Sequence, residues 1–205
     1  MYDFTNKYIC LVLTCNKPAY VQRRTKNNHI YDKIHTAGFE IIFLYADSNA
    51  KELHIKCEEN GYYTMTVPTK ESYMNLSMKM WMAYSFFANE KIKGILKVDD
   101  DIYYIENECL DLEYFNVDYL GINEGDHFNG PFYWVSNKAI QYINSTSIHP
   151  NSYGPSEDIF VGKCLLDKED IIRYKTKWYL MEYIKYSNPC IRYNPHMATA
   201  DFCNV

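Results

Sequence analysis

Residues 93–107 read "KGILKVDDDIYYIEN", and the apolar Ile95, Leu96 and Val98 run straight into Asp99, Asp100 and Asp101. Carboxylates side by side at a strand end repel one another unless a positive charge offsets them. In extended chain, residues two apart share a face, so Asp99 and Asp101 present carboxylates in the same direction. Hard divalent cations prefer oxygen ligands, and one held by only one or two carboxylates keeps positions open for nucleotide phosphates. A calcium loop of the helix–loop–helix type is excluded. Its sixth-position Gly and twelfth-position Glu, counted from Asp99, are here Tyr104 and Leu110. A phosphatase with an aspartyl nucleophile also uses Asp-x-Asp after a strand, but on the first strand and followed by Thr or Val. Here the motif lies mid-chain with Tyr103 following. A solvated acidic turn is the plain structural alternative.

A second acidic pair, Glu157 and Asp158, opens the stretch "SEDIFVGKCLLDK". Its structural reading is a helix start, with Ser156 as N-cap and two acids complementing the positive end of the helix dipole. Its chemical reading is a carboxylate free to act as a base.

The elements that would carry these residues follow from hydrophobic patterning. The apolar run Tyr8–Leu13 predicts a first strand, and a long helix is expected from about Pro18 to Ala37, with Pro18 in its first turn and Gly38 just past its end. "FEIIFLYAD" predicts a second strand ending at Asp47. A helix is expected over about Ala50–Asn60, stopped by Gly61, and "YYTMTVP" is a third strand. Residues 70–89 place Tyr73, Leu76, Met80, Tyr84 and Phe87 on one helical face. "GILKV" is the fourth strand. "DYLGI", "PFYWVS", a helix near 136–145 and "DIIRYK" follow. Strand–helix alternation in units of this size predicts an α/β domain with a largely parallel sheet, in which ligands bind beyond the carboxyl ends of the strands. Asn16, Asp47 and the aspartate cluster all fall at such ends. No repeat or linker divides residues 1–205, so a single domain is expected.

Composition sets outer limits. With 205 residues, 47% hydrophobic and 23% charged, the chain has material for one substantial core. A net charge of −5 gives no general attraction to nucleic acid or anionic lipid. Seven cysteines without a Cys-x-x-Cys pair argue against a disulfide framework or a zinc site, and a reduced, cytoplasmic setting is expected. "YICLVLTC" is too short to cross a bilayer.

"KVDDDIYY" resembles the Asp-x-Asp segment of nucleotide-sugar glycosyltransferases with the GT-A fold, in particular glycosyltransferase family 31, the β-1,3-glycosyltransferase and fringe-like enzymes. "ESYMNLSMKMWMAY" is similar to that family's "DSYxNLTLKT" helix at Ser72, Tyr73, Asn75, Leu76 and Lys79. "SEDIFVGKCL" is similar to its "EDVYVG" segment at Glu157, Asp158, Val161 and Gly162. Arg23 and Arg24 in "VQRRTKNN" match part of its early "ERRxAIRxTW" segment. The family's "SGGGYVLS" is met only by "NGPFYWVS", where Gly130 and Ser136 are kept and Tyr133 and Trp134 replace glycines. Those two side chains would reshape the sugar pocket.

The resemblance implies a GT-A fold with a mixed, mostly parallel sheet flanked by helices. It also implies a metal-dependent, inverting transfer of a sugar from a UDP-sugar to a hydroxyl of a glycan or glycoconjugate. Manganese, or else magnesium, is the implied ion. Asp101 is its first ligand, Asp99 binds it or the ribose, and His196 in "YNPHMA" completes the shell. Asp158 is the implied general base, with Glu157 beside it. Thr14, Cys15, Asn16 and Asp47 are placed for uracil and ribose, with Asp100 among the nucleotide contacts. Arg24 and Lys79 are placed to neutralise the diphosphate. Trp134 and Trp178 are candidates for stacking on a sugar or for core packing. A different donor such as UDP-rhamnose or UDP-glucose, an Asp-x-Asp phosphatase, and an inactive sugar-nucleotide-binding module remain the rival readings.

Overall fold

The computed structural model describes residues 2–123 and 125–176, together with the strand backbones 179–181 and 191–193. Its centre is an eight-stranded sheet. Strand β1 (Tyr8–Leu13) lies between β2 (Phe39–Ala46) and β5 (Gly94–Asp99), parallel to both. Beyond β2 come β4 (Tyr63–Val67), parallel to it, and β3 (His54–Cys57), antiparallel at the edge. Beyond β5 come β8 (Phe128–Ser136) and β7 (Tyr119–Asn123), both antiparallel steps, and then β9 (Arg173–Lys175) parallel to β7. A small second sheet joins β6 (Ile102–Ile105) to β11 (Ile191–Tyr193) and β10 (Tyr179–Met181). The parallel centre puts the C-terminal ends of β1, β2, β4 and β5 along one rim, which is where the aspartates emerge.

Both faces of the sheet are covered, and the period-2 alternation of each strand divides the core in two. Ile9, Leu11, Ile95, Tyr133 and Val135 point to one side, where α3 (Leu76–Phe87), α4 (Asn137–Ser145) and α5 (Glu157–Leu165) pack. Cys10, Val12, Leu96, Val98, Phe132 and Trp134 point to the other, against α2 (Asn28–Thr36) and the 105–117 segment. Helix α3 buries Leu76, Met80, Tyr84 and Phe87 as its spacing predicts, while Tyr73 sits half-buried in a 3-10 turn just before it.

Two expected elements differ. The long helix is divided into α1 (Pro18–Lys26) and α2 by Asn27, whose φ of −94° and ψ of 9° leave the helical range. The side-chain amide of Asn27 donates to the Asp100 carbonyl (2.9 Å), a bond across the sheet rim that an uninterrupted helix would not place there. Gly38 follows the pair with φ +105°, as a residue past a helix end should. The helix expected over 50–60 is instead the strand β3. Gly61, at φ +83°, reverses the chain so that His54–Cys57 pairs with Thr66–Tyr63, and backbone pairing with β4 outweighs local helix preference. Among the described residues, no helix is long and apolar enough to cross a membrane.

Candidate active site

Strand alternation sorts the aspartates. Lys97 and Asp99 follow Ile95 on the face toward α5, whereas Asp100 turns to the face of α1. There its carboxylate accepts from Thr14 Oγ1 (2.5 Å) and from Arg23 Nη1 (2.8 Å). Arg23 in turn lies over the Tyr20 ring, 4.5 Å from its centre. Burial pushes the Asp100 carboxyl up, while Thr14 and Arg23 pull it back down. Asp100 is therefore braced internally by Thr14 and Arg23 while still lining the cleft.

Asp101 differs in one respect. Its side chain is 4% exposed, and its Oδ1 is buried with no hydrogen-bond partner among the described residues. Burial, then Asp99 and Asp100, push this carboxyl well above the usual carboxylate range. Such an atom is costly to bury unless something positive meets it.

On the α5 side, Lys97 is 1% exposed and its Nζ reaches Asp99 Oδ1 (2.6 Å), the Gly130 carbonyl (2.6 Å) and Glu157 Oε1 (2.8 Å). Burial pushes Glu157 up to about 7, with Lys97 opposing and Asp158 and Asp99 adding to the rise. Asp158 is half-buried, and its Oδ1 accepts from the Ile159 amide (2.8 Å). Its Oδ2 lies 3.0 Å from where a Cβ on Gly130 would stand, so the glycine clears room for this carboxylate. Ser156 precedes α5 but makes no side-chain capping bond, contrary to the N-cap expectation. It lines the cleft instead.

Leu13, Thr14, Arg23, Lys97, Asp99–Asp101, Gly130, Glu157 and Asp158 thus surround one cleft of about 210 Å³. Five carboxyl groups face it against the two cations Lys97 and Arg23. That crowding of carboxyl oxygens, with an Asp101 oxygen that has no partner among the described residues, fits a divalent cation, which would favour their ionised forms. Among the described residues, no group of three or more His, Cys, Asp or Glu side chains is arranged to hold a metal ion. His196 and Trp178 lie outside the described residues.

Several expected contacts are placed elsewhere. Lys79 is buried with its Nζ on Glu71 (2.8 Å) and the Thr14 carbonyl (2.5 Å), so it secures the end of β1, and it does not line the cleft. Burial lowers its pKa, with Glu71 opposing. Arg24 donates to Thr14 Oγ1 (2.5 Å) and the Cys15 carbonyl (2.8 Å). With Asn16 it lines a separate depression of about 490 Å³ beside Phe43 and Tyr45. Cys15 is buried and its thiol is pushed up by burial. Asp47 is exposed, holds the Asn49 amide (2.8 Å) and does not border the cleft. Tyr133 and Trp134 are both core residues. Tyr133 is buried with its hydroxyl on that of Tyr84 (2.9 Å), and Trp134 packs on Tyr8, Phe39 and Phe115 and donates to Val117. Sequence reasoning missed Lys97 and the roles of Arg23 and Asn27. A lysine within an otherwise buried strand is the one signal that could have marked Lys97.

The raised Glu157 carboxyl has a consequence for stability. In the folded state it holds its proton up to about pH 7, whereas unfolded it ionises near 4.5. Folding therefore binds the proton more tightly, and stability falls as pH rises from about 4.5 to 7. Glu157→Gln removes that fall. Chemical denaturation of the metal-free protein between pH 5 and 8 should show the wild type losing on the order of 1–3 kcal/mol relative to the variant. Parallel curves would show that Glu157 does not titrate in this window.

No protein-family model matches the sequence, and no curated protein matches it either. Solved structures do. The chain is similar to a Drosophila β-1,4-galactosyltransferase 7 mutant in complex with manganese, UDP-Gal and xylobiose, with TM-score 0.50 and 12% identity over 94% of this chain and 74% of that one. It is also similar to the glycosyltransferase GlyE of Streptococcus pneumoniae TIGR4, with TM-score 0.46 and 13% identity over 84% of this chain. The match covers 46% of GlyE, so the chain corresponds to less than half of that protein's length. A glycosyltransferase involved in glycosylation of the major capsid of PBCV-1 matches with TM-score 0.42 and 15% identity over 94% of this chain and 95% of that one. The architecture is the GT-A fold: a mixed α/β arrangement around a central, mostly parallel sheet.

Proposed function

We propose that this chain is a metal-dependent, inverting glycosyltransferase that moves a sugar from a UDP-sugar to a hydroxyl of a glycan or glycoconjugate. One observation carries the reading: the buried Asp101 oxygen, with no hydrogen-bond partner among the described residues, stands at the strand rim of a GT-A fold, in the same cleft as Asp158. The three ordered motifs support a relationship to family 31. The Drosophila neighbour, solved with manganese and UDP-Gal, supports that ion and donor class. Residues 1–205 would form one catalytic domain, with the nucleotide bound by about 1–105 and the acceptor by about 106–205.

Asp99 and Asp101 would hold the divalent cation, which as a Lewis acid offsets the charge developing on the departing diphosphate. Strand β11 runs antiparallel to β6 and pairs Tyr193 with Ile102, next to Asp101. By the family resemblance His196 would be a third ligand; it lies outside the described residues. Asp158 takes the proton from the acceptor hydroxyl as its oxygen bonds to the anomeric carbon. The bond from that carbon to the diphosphate oxygen breaks, and the electron pair leaves with UDP. One carboxylate opposite the leaving group makes this a single displacement with inversion. Thr14 and Arg23 engage both oxygens of Asp100, which leaves Asp99 and Asp101 as the aspartates for the cation.

The test is a thermal-unfolding screen of UDP, UDP-sugars and phosphomonoesters, each with and without manganese. A ligand that binds only the folded state stabilises it by about 2.7 kcal/mol at a hundred times its Kd. UDP with manganese is expected to raise the unfolding temperature, and UDP alone to do so far less. No response to any uridine nucleotide, or release of phosphate from monoesters, would remove the sugar-transfer reading.

A further inference from the structure

Lys97 takes no part in the chemistry proposed above, yet it is the most enclosed cation bordering the cleft. A lysine in mid-strand loses its hydration on burial, and it stays charged only where carboxylates and carbonyls replace the water. Here they do so from three separate elements. Asp99 Oδ1 comes from the end of β5, the Gly130 carbonyl from β8, and Glu157 Oε1 from the first turn of α5. The Tyr133 ring closes the fourth side, its centre 5.7 Å from Nζ. Asp99 and Glu157 are held beside each other by the same Nζ, at 2.6 Å and 2.8 Å. Asp158 is the next residue after Glu157, so whatever fixes Glu157 also fixes Asp158 against the aspartate end of β5.

Resting on the sugar-transfer reading, we propose that Lys97 is a positioning residue that sets the separation between Asp99, on the leaving-group side, and Asp158, on the acceptor side. A single ammonium spans the two halves of the cleft. Transfer depends on the attacking oxygen, the anomeric carbon and the departing oxygen lying in line, and a misplacement of about 1 Å can cost about 10²-fold in rate. Gly130 contributes twice: its carbonyl anchors the ammonium, and its missing side chain leaves space for Asp158.

The test is Lys97→Met, which keeps the length and removes the charge. Turnover at saturating donor and acceptor should fall about 10²-fold per folded molecule, with donor KM changed less than tenfold. Glu157→Ala should fall similarly. The double variant should lose no more than the worse single one, because both remove one tether. A crystal structure of Lys97→Met tests the same inference without substrate: the Asp99 and Glu157 carboxylates should move apart by about an ångström. Should Lys97→Met not fold, Lys97→Gln, which keeps a donor for the Gly130 carbonyl, carries the same readouts. Turnover within threefold of wild type, losses that multiply in the double variant, or unmoved carboxylates would overturn the inference. A wild-type protein that turns over no nucleotide-sugar would sink the sugar-transfer reading alone, and the carboxylate positions would still decide the role of Lys97.

Discussion

Asp158→Asn is expected to lower sugar transfer by about 10²–10⁴-fold while leaving manganese-dependent UDP binding in place, since a positioned general base contributes about that much. The substitution keeps the shape of the side chain and an acceptor for the Ile159 amide. It removes only the capacity to take a proton. The competing role, an acid in the first turn of α5, is worth about 0.3–1 kcal/mol of stability and touches no rate. The two roles therefore separate cleanly. Turnover from single-cycle kinetics, beside a UDP titration by calorimetry, makes the measurement. Transfer within a few-fold of wild type, coupled to a lower unfolding temperature, would return Asp158 to helix stabilisation.

Asp101→Asn is expected to abolish the part of UDP affinity that depends on manganese. The buried Oδ1 has no partner among the described residues, and Asp99 and Asp100 both disfavour its charge. A cation bridging that oxygen and a diphosphate would relieve both penalties at once. The amide cannot supply the negative charge, so titrations with and without manganese should give the same weak UDP affinity. The stability readout runs the other way. Removing a carboxyl that burial and its neighbours disfavour should leave the unfolding temperature of the metal-free protein unchanged or higher. A variant that still binds UDP more tightly with manganese would show that Asp101 is not a ligand. A variant that unfolds at markedly lower temperature would show that the carboxylate is a structural brace, as Asp100 is.

Much of the fold and part of the site were legible before any coordinates. Alternation and helical spacing marked β1, β2, β5 and the buried face of α3, because each depends only on which neighbours along the chain are apolar. The spacing of Asp99 and Asp101 and their place after a parallel strand were legible for the same reason. Edge pairing was not: β3 exists because β4 offers it hydrogen bonds, and nothing within 50–60 states that. The partners of the basic residues were not legible either. Arg24 and Lys79 have the right charge for a diphosphate, yet Arg24 bonds Thr14 beside a separate depression and Lys79 is buried on Glu71. Arg23, one residue earlier, points to the sheet and braces Asp100.

The sequence by itself determined which residues could carry oxygen-ligand and acid–base chemistry, and that they would gather at the strand rim. Only the tertiary structure decided which aspartate stays unpartnered, which cations are spent on internal pairs, and that Lys97 meets Glu157 sixty positions later. The physical reason is that periodicity is a local property of the chain. The cost of a buried charge depends on whatever distant residue arrives to meet it.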